Sequence, residues 1–125
     1  MILILCGPTA SGKSTTQKVL CEKYGFHKVV TYTTREPREN EVFGEDYYFA
    51  TEDKFVNMII NKEFIEFTIY SNNRYYGTSI SSIKDADKKD YVAVMTPSGA
   101  RRMKKYAAEH NIPCFVVLLD ISRQN

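Results

Sequence analysis

The chain has 125 residues, 43% hydrophobic and 26% charged, a balance that suits one globular domain with a core of its own. Lys plus Arg number 17 and Asp plus Glu 15, and the resulting +2 is too mild to draw the chain to nucleic acid or a membrane by its bulk field. Cys6, Cys21 and Cys114 are odd in number, far apart and without a C-x-x-C pair, which excludes a disulfide scaffold and points to reduced thiols in a cytoplasmic protein.

In chain order, Met1–Cys6 is a continuous apolar run, the pattern of a strand buried on both faces of a parallel sheet. It lacks a basic flank and stops at Gly7-Pro8, too early for a membrane span or a targeting segment. A loop covers Gly7 to Gly12. Lys13 to about Tyr24 predicts a helix, with Val19, Leu20 and Tyr24 toward the core and Gly25 as its stop. Lys28–Thr31 predicts a short second strand, and the polar stretch Thr33–Glu45, with Pro37, Asn40 and Gly44, a loop. Asp46–Phe49 predicts a strand. Thr51, with Glu52 and Asp53 behind it, starts a helix that carries Phe55, Met58 and Ile59 on one face. Phe64–Tyr70 and Arg74–Gly77 predict two strands joined by a turn at Asn72-Asn73. Ser79 to about Lys88 predicts a helix, Tyr91–Thr96 a strand, and Pro97–His110 a helix with Thr96 as N-cap. Cys114–Leu119 predicts a last apolar strand, and Ser122 could cap one more helix. Strands alternating with helices imply a parallel α/β sheet.

The sharpest motif is Gly7-Pro8-Thr9-Ala10-Ser11-Gly12-Lys13-Ser14, a full match to G-x-x-x-x-G-K-[ST] between an expected strand and an expected helix. Its glycines let backbone N–H groups turn inward around a phosphate, and the helix N-terminus adds a favourable dipole. Lys13 can reach the β- and γ-phosphates, and the Ser14 hydroxyl can bind Mg²⁺. With Thr15 next on the helix, these residues form an expected ATP site, with Mg²⁺ as cofactor.

Arg35 and Arg38 lie three residues apart in Thr33-Thr34-Arg35-Glu36-Pro37-Arg38. Planar guanidinium groups bind phosphate oxygens in pairs, so the two suit a dianionic monophosphate. Read alone, they suit a solvated loop better than a phosphate site. Tyr47 and Tyr76 could add hydroxyl donors. His27 and His110 read as structural, and Arg101, Arg102, Lys104 and Lys105 as one solvated helix face.

The segment from Thr33 to Phe49 resembles the guanylate kinase pattern T-T-R-x-P-R-x-G-E-x-x-G-x-D-Y-x-F. Glu63-Phe64-Ile65-Glu66-Phe67 and Tyr75-Tyr76-Gly77-Thr78-Ser79 resemble that family's E-F-I/L-E-W and Y-Y-G-T-S. The resemblance implies a three-layer α/β phosphate-loop kinase core, expected at 1–32 and 80–125. Residues 33–79 would be an inserted, mostly β subdomain that binds the monophosphate. It implies transfer of the ATP γ-phosphate to GMP or dGMP, with Lys13, Arg35 and Arg38 as catalytic residues. Arg35, Arg38, Tyr47 and Tyr76 would hold the acceptor's phosphate, Glu66 would read guanine, and Thr31 and Thr78 would add base contacts. Partners would be small nucleotides, with no nucleic acid and no membrane, in a monomer or homodimer. Val94 and Thr96 stand where the family pattern D-x-D-x-Q-G-A has its aspartates, which leaves open a broader deoxynucleoside monophosphate kinase. A non-catalytic guanylate-kinase-like binding module is the other alternative, and the intact Lys13-Ser14 loop argues against it. The family's arginine-bearing lid follows the last strand, and the resemblance implies that it is missing here after residue 121.

Overall fold

The computed structural model describes residues 1–8 and 12–119. The chain divides into two compact units: Met1–Val29 with the segment from Asp85 onward, and Val30–Lys84.

The first unit is built on a parallel sheet. Strands β1 (Ile2–Cys6), β2 (His27–Lys28), β7 (Tyr91–Val94) and β8 (Cys114–Leu118) lie in the order β2-β7-β1-β8, and every pairing is parallel. Helix α1 (Lys13–Tyr24) crosses from β1 to β2, and α3 (Pro97–Glu109) crosses back from β7 to β8. Right-handed crossovers in opposite directions put the two helices on opposite faces of the sheet. Ile2, Ile4, Val92 and Met103 are fully buried and form the centre of this core. Thr96 caps α3 as expected, its Oγ1 accepting from the Gly99 N–H at 3.2 Å, with Pro97 in the first turn.

Three expectations fail in this unit. Helix α1 has the predicted limits, and Gly25 ends it in the left-handed conformation at φ 72°, but none of its residues is buried. Val19 and Tyr24 are exposed and Leu20 is only half-buried. β2, which follows the helix, is two residues long and offers exposed His27 and Lys28 instead of an apolar surface. The second strand is accordingly shorter than the predicted Lys28–Thr31, continuing only as a Val29 N–H bond to the Val92 carbonyl. Among the described residues β8 pairs on one side, with β1, and Phe115 and Leu118 are exposed rather than enclosed.

The second unit carries a mixed sheet in the order β4-β3-β6-β5, from β3 (Tyr32–Thr33), β4 (Tyr48–Phe49), β5 (Phe64–Ile69) and β6 (Tyr75–Ser79). β3 and β4 run parallel, and the other pairs antiparallel. Tyr32 and Thr33 thus belong to a strand, one residue inside the predicted loop. The hairpin between β5 and β6 closes as expected: Tyr70 donates to the Arg74 carbonyl at 2.9 Å, Asn73 donates to the Tyr70 carbonyl at 3.0 Å, and Asn73 takes the left-handed position at φ 60°. Helix α2 (Glu52–Ile60) is capped by Thr51, whose Oγ1 accepts from the Lys54 N–H at 3.1 Å. α2 buries Phe55 and Met58, while Ile59 is half-buried.

The predicted helix Ser79–Lys88 is instead one 3₁₀ turn, Ile80–Ile83. Serine hydroxyls compete with the helical ladder here: Ser82 donates to the Ser79 carbonyl at 2.6 Å, and the Ser79 and Ser81 hydroxyls lie 3.2 Å apart. Asp85, at φ 65°, then turns the chain away. Among the described residues, no helix is long and apolar enough to cross a membrane.

The core of the second unit rests on a close ring contact. Phe55 and Phe64 have centroids 4.5 Å apart, and Gly77 backs onto them. A Cβ at Gly77 would lie 2.8 Å from Phe64 Cε1 and 3.0 Å from Phe55 Cζ. Gly77→Ala should therefore destabilise the unit by about 1–3 kcal/mol through overpacking. A lowered urea midpoint at unchanged slope is the expected signature. An unchanged midpoint would mean that the rings part freely.

Candidate functional site

In the first unit, β1 runs directly into the glycine-rich turn. Gly12 occupies the N-cap of α1 at φ 86°, a conformation costly for residues with a Cβ, and its carbonyl accepts from the Thr16 N–H at 2.9 Å. Lys13 Nζ donates to the Gly7 carbonyl at 2.6 Å, so the lysine reaches back to the end of β1. Ser14 and Thr15 are exposed in the first helical turn, and Pro8 is exposed ahead of it. Thr9, Ala10 and Ser11 lie outside the described residues. Thr96, in the position of a family aspartate, has its hydroxyl oxygen committed to the Gly99 N–H, and Val94 has no polar atom to offer. Among the described residues, no group of three or more His, Cys, Asp or Glu side chains is placed to hold a metal. A Mg²⁺ ion carried by phosphate oxygens asks for fewer protein ligands, and a single exposed hydroxyl such as that of Ser14 fits this need.

In the second unit, the segment Thr33-Thr34-Arg35 is fixed by its own hydroxyls. Thr33 Oγ1 accepts from the Arg35 N–H at 3.1 Å, and Thr34 Oγ1 accepts from the Tyr75 N–H at 3.0 Å. Arg35 is buried and forms a two-pronged ion pair with Glu41, both N···O distances being 3.0 Å. Nη1 also donates to the Glu36 carbonyl at 2.9 Å. The Tyr47 ring lies 5.1 Å from the guanidinium carbon, and the Tyr47 and Tyr76 rings meet edge to face at 6.2 Å. The Glu41 hydrogen bond pushes Arg35 further above its ordinary pKa, against the opposing effect of burial and with support from Tyr76 and Tyr47. Glu41 is held below the usual carboxylate range by Arg35 first and then by the Arg38 backbone N–H, which donates to its Oε1 at 2.7 Å. The Arg38 side chain is exposed.

Across β5 and β6, Glu66 stands opposite Thr78, beside an irregularity in the ladder between Phe64 and Glu66. Thr78 Oγ1 donates to Glu66 Oε2 at 2.7 Å. Thr78 is buried and Glu66 half-buried, so the carboxylate is fixed on one oxygen and keeps lone pairs on both. Thr31 precedes β3, and its carbonyl accepts from the Tyr48 N–H at 2.8 Å. Arg35, Tyr47 and Tyr76 are thus brought together, Glu66 and Thr78 form a second cluster, and Arg38 joins the first through its backbone. Sequence reasoning assigned no role to Glu41. Its signal was present as an acidic residue six positions after Arg35, inside the segment that carries both arginines.

A buried strand feeding a glycine-rich turn and a helix, in a chain that also carries a mixed sheet with an arginine–tyrosine cluster, defines a phosphate-loop α/β kinase fold. The sequence profile of the guanylate kinase family matches residues 1–125, and the chain belongs to that family. It is 35% identical over 113 residues to the guanylate kinase of Lactobacillus delbrueckii subsp. bulgaricus, covering 87% of this chain and 55% of that protein. It is 37% identical over 120 residues to guanylate kinase 2, chloroplastic/mitochondrial, of Oryza sativa subsp. japonica, covering 94% of this chain and 42% of that protein. The crystal structure of guanylate kinase from Anaplasma phagocytophilum superposes with a TM-score of 0.71 at 26% identity, over 94% of this chain and 59% of that one. The chain spans about half the length of the curated relatives it matches.

Proposed function

We propose that the chain is the nucleotide-binding part of a kinase that transfers the γ-phosphoryl group of Mg²⁺–ATP to GMP or dGMP. An oxygen of the monophosphate attacks the γ-phosphorus, the bond to the β-phosphate oxygen breaks, and ADP leaves as GDP or dGDP forms. The acceptor oxygen is already nucleophilic, so no general base is required, and catalysis is positioning with charge neutralisation. In this reading the turn from Gly7 to Thr15 cradles the ATP phosphates. Lys13 neutralises the transferring group, and Ser14 supplies a protein oxygen to Mg²⁺. Arg35, Arg38, Tyr47 and Tyr76 hold the acceptor's phosphate, and Thr31, Glu66 and Thr78 hold its base. Cys6, Cys21 and Cys114 are free, and burial raises each thiol's pKa, which suits a reducing cytoplasmic setting.

The observation that carries the reading is the Glu66–Thr78 pair. A carboxylate oriented by one hydroxyl presents two acceptors to the parallel N1–H and N2–H donors of guanine, whereas adenine would bring its N1 lone pair against it. ADP release measured with GMP, dGMP, AMP, CMP and UMP tests the reading, and turnover confined to GMP and dGMP is expected. Val94 and Thr96 favour a second reading with broader base choice, and comparable rates across the panel would support it. Glu66→Gln replaces one acceptor by a donor and should weaken GMP about 10- to 100-fold while sparing AMP. An equal effect on both nucleotides would remove the base-reading role.

A further inference from the structure

The arrangement around Arg35 leaves a charge deficit. A phosphate monoester near neutrality approaches a double negative charge. Yet the Arg35 guanidinium is largely engaged by its own loop, with Nη1 on the Glu36 carbonyl and Glu41 and Nη2 on Glu41. The Glu41 carboxylate also offsets its charge.

Side chains alternate along β6 and its approach, so Thr78 and Tyr76 share a face with Arg74, while Tyr75 and Gly77 face the aromatic core. Residues two apart on a strand lie roughly 6.6 Å from each other, within reach of an extended arginine. A cleft of about 410 Å³ is lined by Arg35, Arg38 and Arg74 together with Thr34 and Asn73. A neighbouring cleft of about 340 Å³ is lined by Arg74, Tyr76 and Tyr70. Arg74 lines both, and so stands between the arginine side and the tyrosine side of the cluster. Its side chain is exposed and has no ion pair or hydrogen bond among the described residues, while its backbone is held by the Asn72 side chain at 3.3 Å and by the Tyr70 N–H. The base of the side chain is therefore anchored and its guanidinium is uncommitted.

We infer that Arg74 is a third phosphate-binding arginine of the monophosphate site, supplying the charge that Glu41 withdraws from Arg35. The inference rests on the reading above that this unit takes a nucleoside monophosphate.

Titration calorimetry of the full chain with GMP and with guanosine, for the unsubstituted protein and for Arg38→Ala, Arg74→Ala and Arg74→Lys, tests it. Arg74→Ala should weaken GMP about tenfold, the scale of one exposed charge-assisted contact, and leave guanosine unchanged. Arg74→Lys should recover part of the loss, because the charge returns without the planar fork. Unchanged GMP affinity in Arg74→Ala, with Arg38→Ala weakened, overturns the role of Arg74 and leaves the site standing. A loss shared equally by guanosine also overturns it, because the effect would then lie in the hairpin and not in phosphate recognition. Failure of the unsubstituted chain to bind GMP overturns the underlying reading as well.

Discussion

Arg35→Ala should weaken GMP at least a hundredfold and cost the second unit stability. The side chain is buried, so its removal does more than delete a phosphate contact. Glu41 loses both prongs of its partner and remains as an uncompensated carboxylate beside the place where a dianion must sit. A charge-assisted contact is worth about 1.5–3 kcal/mol, and the loss of one with the repulsion from the uncompensated carboxylate added gives the stated scale. Every nucleoside monophosphate should suffer alike, because phosphate carries no base identity. The stability effect has a pH signature. Glu41's pKa is depressed in the folded chain by Arg35, so its contribution is fully present above the ordinary carboxylate range and is lost as pH falls through the lowered value. Urea midpoints of the two proteins should therefore differ most near neutrality and converge in acid. A constant difference across that range would show that the ion pair is not the source.

Lys13→Ala should weaken Mg²⁺–ATP about 10- to 150-fold, the equivalent of about 1.5–3 kcal/mol for a lost charge-assisted contact. The fold should survive, because Lys13 is half-buried in the first turn of a helix whose N-cap is Gly12. The contact with the Gly7 carbonyl is local to the turn, so its loss should leave the sheet intact. GMP affinity should be unchanged, which separates this variant from Arg35→Ala. Titration with each nucleotide in turn makes the comparison, and an unaltered ATP affinity would remove the phosphate-loop assignment.

The elements legible in the sequence are those whose signals are local. Thr96-Pro97 declares the start of α3, Thr51 with Glu52 and Asp53 that of α2, and Asn72-Asn73 the hairpin, each by hydrogen bonds or backbone conformations set within a few residues. What escaped depends on distant partners. Tyr32-Thr33 is a strand only because it pairs with Tyr48-Phe49 on one side and with β6 on the other, and two residues carry no periodicity. The exposure of Tyr24 and Leu118 follows from which strands lie beside them, and hydrophobic pattern alone does not encode that. The run from Ser79 to Lys88 has helical composition, but its serines bond their own neighbours instead. At the site, the arginines and tyrosines announced themselves by type and motif. Glu41 stood in the arginine segment as an acidic residue without a role, and Arg74 gained one only when the hairpin brought it beside Arg35 and Arg38.

The alternation along β6 also divides the residues from Arg74 to Thr78 into two codes written in one stretch of chain. Arg74 and Tyr76 line the clefts and Thr78 meets Glu66, whereas Tyr75 and Gly77 face Phe55 and Phe64. Substitutions at 74 and 76 can therefore retune what is bound at little cost to folding, whereas those at 75, at 77 and at the buried Thr78 change folding as well. A combinatorial library confined to 74 and 76, with 66 across the sheet, would explore ligand preference on a constant scaffold. One confined to the odd positions would return mostly unfolded chains. Nucleotide choice and structural integrity can thus drift separately within five consecutive residues, a form of modularity finer than the domain.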